Sequence, residues 1–177
     1  MLFANWWKKS FREQYKVKEP SKIFKLVTLK RKVENLRREG KKIAFTNGCF
    51  DIFHFGHISY LQKAKKGRVL IVGLNSDKSI RKIKGKNRPI IKQENRAGLL
   101  AALSCVDFVV LFDEDTPINL IKSLKPDVLI KGADWKDKGV AGRDIVSQYG
   151  GKVEFITYVP NLSTSQIIKD ILSKCKS

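Results

Sequence analysis

The chain has 177 residues, with 36 Lys plus Arg against 17 Asp plus Glu, a formal net charge of +19. That length suits one domain of ordinary size, and 42% hydrophobic residues can build its core, which excludes a disordered chain. Three widely spaced cysteines (Cys49, Cys105, Cys175) make neither a disulfide framework nor a CxxC knuckle, and no apolar run approaches the roughly 20 residues of a membrane span, so secreted, membrane-spanning and zinc-finger classes are excluded and a cytoplasmic protein is expected.

Residues 1–24 are predicted to be an extension. Phe3, Trp7, Phe11 and Tyr15 recur every four residues among Lys8, Lys9, Arg12 and Lys16, as in a basic amphipathic helix that Pro20 ends. The domain is expected over 25–177. Thr28 is placed as N-cap of a helix over 29–39, stopped by Gly40. Thereafter β-rich runs alternate with helical stretches: a strand at 42–46, a helix over 56–66, a strand at 68–74, a short helix to 83 capped by Asn75-Ser76-Asp77, and a helix over 93–103. A strand at 106–112, a helix at 117–124, a strand at 127–131, a helix over 141–149, a strand at 152–157 and a final helix over 164–174 capped by Ser163 complete the chain. Continuous Val/Ile/Leu/Phe runs mark strands buried on both faces. Five of them separated by helices predict an α/β fold, a Rossmann-like doubly wound parallel five-stranded sheet that binds ligands beyond the carboxyl ends of its strands.

The charge is concentrated. Residues 1–42 carry 14 basic and 4 acidic side chains, and residues 63–96 carry 12 and 2. The second block follows the most unusual motif in the chain, in which both histidines fall within Asp51-Ile52-Phe53-His54-Phe55-Gly56-His57, after the first strand and at a helix start. A helix N-terminus offers unpaired N–H groups and the positive end of the dipole to a phosphate. Gly56 allows a close approach of the backbone, and two imidazoles add donors. Metal ligation is the weaker reading, because no third His and no thiol pair is available to complete a site. Lys84, Arg88 and Arg96 are candidate substrate contacts near that helix start, whereas Lys86 reads as solvated. Asp134 could bond a ribose, orient a basic residue or cap a helix, and Asp51 is either a turn residue or support for His54. Cys49 has no base beside it and reads as a buried turn residue.

Thr46-Asn47-Gly48-Cys49-Phe50-Asp51, followed by His54-Phe55-Gly56-His57, resembles the HxGH nucleotidyltransferases, distant relatives of the class I aminoacyl-tRNA synthetases. Cys49 within that motif is similar to the heptose 1-phosphate adenylyltransferase branch of lipopolysaccharide-core synthesis, where cytidylyltransferase branches more usually have Thr. The similarity continues through Asn75-Ser76-Asp77, Lys84-Gly85, Arg88-Pro89, Arg96, Asp115-Thr116-Pro117, Lys131-Gly132-Ala133-Asp134-Trp135 and Ser163-Thr164-Ser165, covering roughly residues 25–174. The family more often has Ser-Thr-Thr at the last of these.

The resemblance implies an adenylyltransferase that joins ATP and D-glycero-β-D-manno-heptose 1-phosphate, releasing pyrophosphate. The alternative is a CTP-dependent cytidylyltransferase acting on glycerol 3-phosphate. It implies His54, His57 and Lys84 as catalytic residues. Nucleotide contacts would come from Asn47, Gly48, Phe50, Gly56 and Arg96, from Lys131, Gly132 and Asp134, and from Ser163, Thr164 and Ser165. Arg88 would contact the acceptor phosphate. Mg²⁺ would be held mainly by the substrate phosphates, with no dedicated metal residues. A separate sugar kinase is expected to supply the acceptor, and a homodimer is expected. No nucleic-acid partner is expected, because no RNA-binding signature accompanies the charge.

Overall fold

A computed structural model describes residues 22–157, 159–160 and 162–175. The chain enters along the edge of the sheet, where Ile23 bridges Val109 in parallel and the N–H of Phe24 donates to the carbonyl of Val109 at 2.9 Å. Helix α1 (Leu26–Arg38) follows, then strand β1 (Ile43–Gly48), α2 (Phe55–Lys65), β2 (Val69–Asn75), α3 (Asp77–Lys84) and α4 (Gln93–Ala102). Strand β3 (Phe108–Phe112), α5 (Ile118–Leu124), β4 (Val128–Gly132), a 3₁₀ turn (Ala133–Trp135), α6 (Arg143–Gln148), β5 (Lys152–Ile156) and α7 (Thr164–Lys174) complete the order. The predicted amphipathic segment falls in 1–21, outside the described residues.

All five strands are parallel in the order β3-β2-β1-β4-β5. The period-2 alternation of each strand sends neighbouring side chains to opposite layers. Ala44, Leu70, Val72 and Ile130 pack with Tyr60 and Leu61 of α2 and Leu100 of α4 on one face. Ile43, Phe45, Ile71 and Leu129 pack with Leu29 and Val33 of α1, Ile121 and Leu124 of α5 and Val146 of α6 on the other. Burial on both faces is why the strands read as unbroken apolar runs.

The chain runs outward through β2 and β3, then crosses back over β1 to β4, so the strand order reverses between β1 and β4. The β1–β2 ladder runs the full length of β1, from Ile43↔Val69 to Gly48↔Leu74, but β1 pairs with β4 only at Ala44↔Val128 and Phe45↔Leu129. The two strands part beyond Phe45, and a crevice opens at the carboxyl edge of the sheet, where such folds place their ligands.

Element ends differ from expectation in identifiable ways. Helix α1 starts at Leu26 with an extended Lys25 as N-cap and no side-chain cap bond, so Thr28 lies inside the helix. Leu26 packs on the same cluster as Leu29 and Val33, and this apolar contact extends the helix one turn earlier than the capping signal. Gly40 does stop it: with φ at +76° its N–H reaches the carbonyl of Arg37. Ser76 and Ser163 cap α3 and α7 with their hydroxyl oxygens, accepting from the N–H groups of Ser79 and Gln166.

Candidate active site

The carboxyl edge of the sheet holds a cleft of about 1200 Å³. Its floor is the end of β1 and the turn into α2. The flank beyond β2 carries Ile83 and Lys84, and the other flank, beyond β4 and β5, carries Lys131, Asp134 and Ser163. Asn47, Gly48, Phe50, Gly56, Gly132, Thr164 and Ser165 also line it. Sequence motifs more than a hundred residues apart thus meet in one place.

His54 is the N-cap of α2 and His57 lies in its first turn, with the His57 N–H donating to the His54 carbonyl at 2.9 Å. Their rings stack with centroids 3.8 Å apart and planes inclined by 21°. Burial lowers the pKa of His54, and burial together with the neighbouring His54 ring lowers that of His57 to about 4. Both imidazoles are therefore neutral at pH 7, each with one N–H to donate. The Nδ1 atoms of both are buried and have no hydrogen-bond partner among the described residues. A Cβ on Gly56 would lie 3.0 Å from His54 Nδ1, so glycine there lets the ring sit against the helix start.

Lys131 leaves the end of β4 and donates to Asn47 Oδ1 across the opening between β4 and β1. Its ammonium lies 5.3 Å from the centroid of the Trp135 ring, and burial holds its pKa at about 8. Lys84 was expected in a loop but ends α3, where Gly85 follows at φ +91°.

Two expected substrate contacts, Arg96 and Arg88, are engaged within the protein instead of lining the cleft. Arg96 is 1% exposed and does not line the cleft. Its guanidinium donates to the carbonyls of Ile91 at 2.9 Å, Cys49 at 2.5 Å and Asn75 at 2.9 Å, and to Asp77 Oδ1 at 2.8 Å. It ties the ends of β1 and β2 to the starts of α3 and α4 from beneath. Arg88 is also absent from the lining, and it pairs with Asp51 at 2.9 Å.

Asp51 is the residue whose importance sequence reasoning understated. Its carboxylate, 2% exposed, accepts from the N–H groups of Ile52, Ile90 and Ile91 as well as from Arg88. Its carbonyl accepts from Thr164 Oγ1 at 2.6 Å. One side chain and its backbone therefore join the histidine turn, the loop after Lys84 and the start of α7. The available signal was its place in the turn before His54, but its partners are distant in sequence. Cys49 is half-buried and burial raises its thiol pKa, which fits a turn residue rather than a nucleophile. No group of three or more His, Cys, Asp or Glu placed to hold a metal occurs among the described residues.

Residues 45–170 match the cytidylyltransferase-like family model. The chain is 57% identical over 141 residues to the bifunctional protein HldE of Geobacter metallireducens, covering 79% of this chain and 29% of that protein. It is 53% identical over 155 residues to the protein of the same name from Syntrophotalea carbinolica, covering 87% and 32%. It thus spans about a third of the length of these curated relatives. Among solved structures, the lipopolysaccharide core biosynthesis protein from Thermoplasma volcanium is 28% identical with a TM-score of 0.53, over 67% of this chain and 96% of that one. A pantoate-beta-alanine ligase from Francisella tularensis, 18% identical with a TM-score of 0.56 over 86% and 79%, shares the fold.

Proposed function

The chain belongs to the cytidylyltransferase-like family, and we propose that this nucleotidyltransferase joins ATP to D-glycero-β-D-manno-heptose 1-phosphate, giving ADP-heptose and pyrophosphate. The observation that carries the chemistry is the stacked pair His54 and His57 at the start of α2, facing the start of α7 across one cleft. A phosphate oxygen of the acceptor attacks the α-phosphorus of the triphosphate. The bond from that phosphorus to the bridging oxygen breaks, and its electron pair leaves with pyrophosphate. No covalent intermediate is needed, so the chain positions two anions and stabilises the charge that builds on the α-phosphate.

Neutral imidazole N–H groups aimed from a helix N-terminus serve that purpose without a proton transfer. Ser163, Thr164 and Ser165 add the start of α7 on the far side of the triphosphate, although Thr164 spends its hydroxyl on Asp51. Lys84 delivers a cation to the entering phosphate. Mg²⁺ would come bound to the triphosphate, whose oxygens hold it with little help from the protein.

The heptose assignment is supported by the likeness to the HldE proteins and by the Cys49 and Lys131–Trp135 motifs. The acceptor is a sugar 1-phosphate, so we propose that a sugar kinase supplies it. A homodimer working in the cytoplasm, without nucleic acid, completes the proposal. No helix among the described residues is long and apolar enough to cross a membrane.

Pyrophosphate release measured with ATP and CTP, each against heptose 1-phosphate and glycerol 3-phosphate, tests the assignment. ATP with the sugar phosphate should be the fastest pair by at least about 10²-fold, because polar groups matched to one base are left unpaired with another. A preference for CTP with glycerol 3-phosphate would move the protein to the other branch.

A further inference from the structure

Lys131 is 7% exposed, yet its partners are the neutral amide oxygen of Asn47 and the face of Trp135. It forms no ion pair among the described residues. The Asp134 carboxylate acts on it only from beyond ion-pair distance, so the buried ammonium is weakly compensated and costly, its solvation replaced here by one amide oxygen and one aromatic ring. Such a cation inside a cleft is suited to a ligand that brings the missing negative charge.

Strand order indicates which part of the substrate that is. An in-line displacement places the entering and leaving oxygens on opposite sides of the α-phosphorus. The order β2-β1-β4 sets Lys84, after β2, and Lys131, at the end of β4, on opposite flanks of the histidine turn that follows β1. The start of α7, after β5, lies on the Lys131 flank, and both line the same cleft. Resting on the reading of the chain as a nucleotidyltransferase, we propose that Lys131 receives the leaving pyrophosphate, while Lys84 meets the entering acceptor phosphate. As the bond to the bridging oxygen breaks, negative charge moves onto the pyrophosphate, and the buried Lys131 ammonium stabilises that charge. Burial had depressed the pKa of this lysine, and the arriving anion restores it.

The test uses the full chain with inorganic pyrophosphate and Mg²⁺ as probe. In calorimetric titration, Lys131→Met should weaken pyrophosphate binding by at least about tenfold and lower kcat by a similar factor, with the KM of the acceptor within about twofold of wild type. Lys131→Arg, which keeps the charge, should recover most of the binding. The melting temperature of Lys131→Met should stay level or rise, because a buried charge with only the distant Asp134 to offset it has been removed. If the methionine variant fails to fold, Lys131→Gln, which can still donate to Asn47, carries the same expectation. Wild-type pyrophosphate affinity in the charge-less variants would overturn the proposal. So would a raised acceptor KM with kcat and pyrophosphate affinity intact, or a lowered melting temperature with pyrophosphate binding retained. Pyrophosphate leaves whichever base and acceptor are used, so a preference for CTP would refute the proposed substrates and leave this result standing.

Discussion

His54 and His57 act as a unit because their rings stack 3.8 Å apart, and neither could carry a full positive charge beside the other at low cost. In the proposed reaction each would donate one N–H to charge that appears only in the transition state. His54→Ala and His57→Ala should therefore each lower kcat by on the order of 10²-fold or more, with little change in substrate KM. The pKa of His57, lowered to about 4, also makes a stability prediction. Between its ordinary value of 6.5 and about 4 the unfolded chain binds a proton that the folded chain rejects. The stabilising contribution is present above that window and is lost as pH falls through it. His57→Ala should then show a shallower loss of melting temperature between pH 6.5 and 4 than wild type, and parallel curves would refute the assignment. The motif holding these two residues was legible because both histidines and a glycine sit within four positions. The arginines were not. Arg96 and Arg88 carry the same charge as Lys84 in the same basic block, and composition does not show which guanidiniums turn inward. Arg96 is buried because four acceptors converge on it, from Ile91 nearby and from the distant segments at Cys49 and Asn75–Asp77, and the distant segments reach it only after folding.

Helix α3 illustrates how an element converts sequence position into function. Ser76 caps its start, Ile80 is buried beneath it, and its exposed last turn delivers Lys84 to the flank of the cleft. A cation fixed at a helix end is better placed than one on an open loop, and its contribution is testable against bulk charge. Lys84→Met removes the charge at the cleft. Lys32→Met removes it from α1, where Lys32 lies over the Phe24 and Phe108 rings on the body of the domain. If Lys84 touches the transferring phosphates, its variant alone should lose at least about tenfold in kcat, ~1.4 kcal/mol, and the loss should persist at high salt. Equal, salt-sensitive losses in kcat/KM would reduce both lysines to steering. The elements themselves were readable, since buried parallel strands and capped helices leave strong local patterns. The 3₁₀ turn at Ala133–Trp135 was not, because its three residues carry no periodicity and it is set by the way the chain leaves β4.

At the scale of the molecule, the boundary of the folded unit is where sequence and structure part. The amphipathic spacing and the helix expected from residue 29 suggested a domain starting at 25, but the sheet edge incorporates earlier residues. Ile23 bridges Val109 and packs on the α2–α4 layer, and the Phe24 ring meets Phe108 edge-on at 5.4 Å on the α1 layer. Lys22 fixes the entry point from both ends: its carbonyl accepts from the Val109 N–H at 2.8 Å, and its ammonium donates to the Leu103 carbonyl at 2.8 Å. These contacts cover an edge strand that would otherwise expose unpaired N–H and C=O groups. Two truncations separate the possibilities. A chain beginning at Lys22 keeps every one of these contacts, and should match the full chain in kcat and in melting temperature to within a few degrees. A chain beginning at Lys25 loses the bridge and two apolar side chains that straddle both layers. It should be destabilised by about 2–4 kcal/mol in denaturant unfolding, with an edge more prone to self-association. If both truncations unfold at the same denaturant concentration, residues 22–24 are not part of the folding unit. If the first alone abolishes activity while remaining folded, the segment before Lys22 contributes to catalysis and the boundary belongs further upstream.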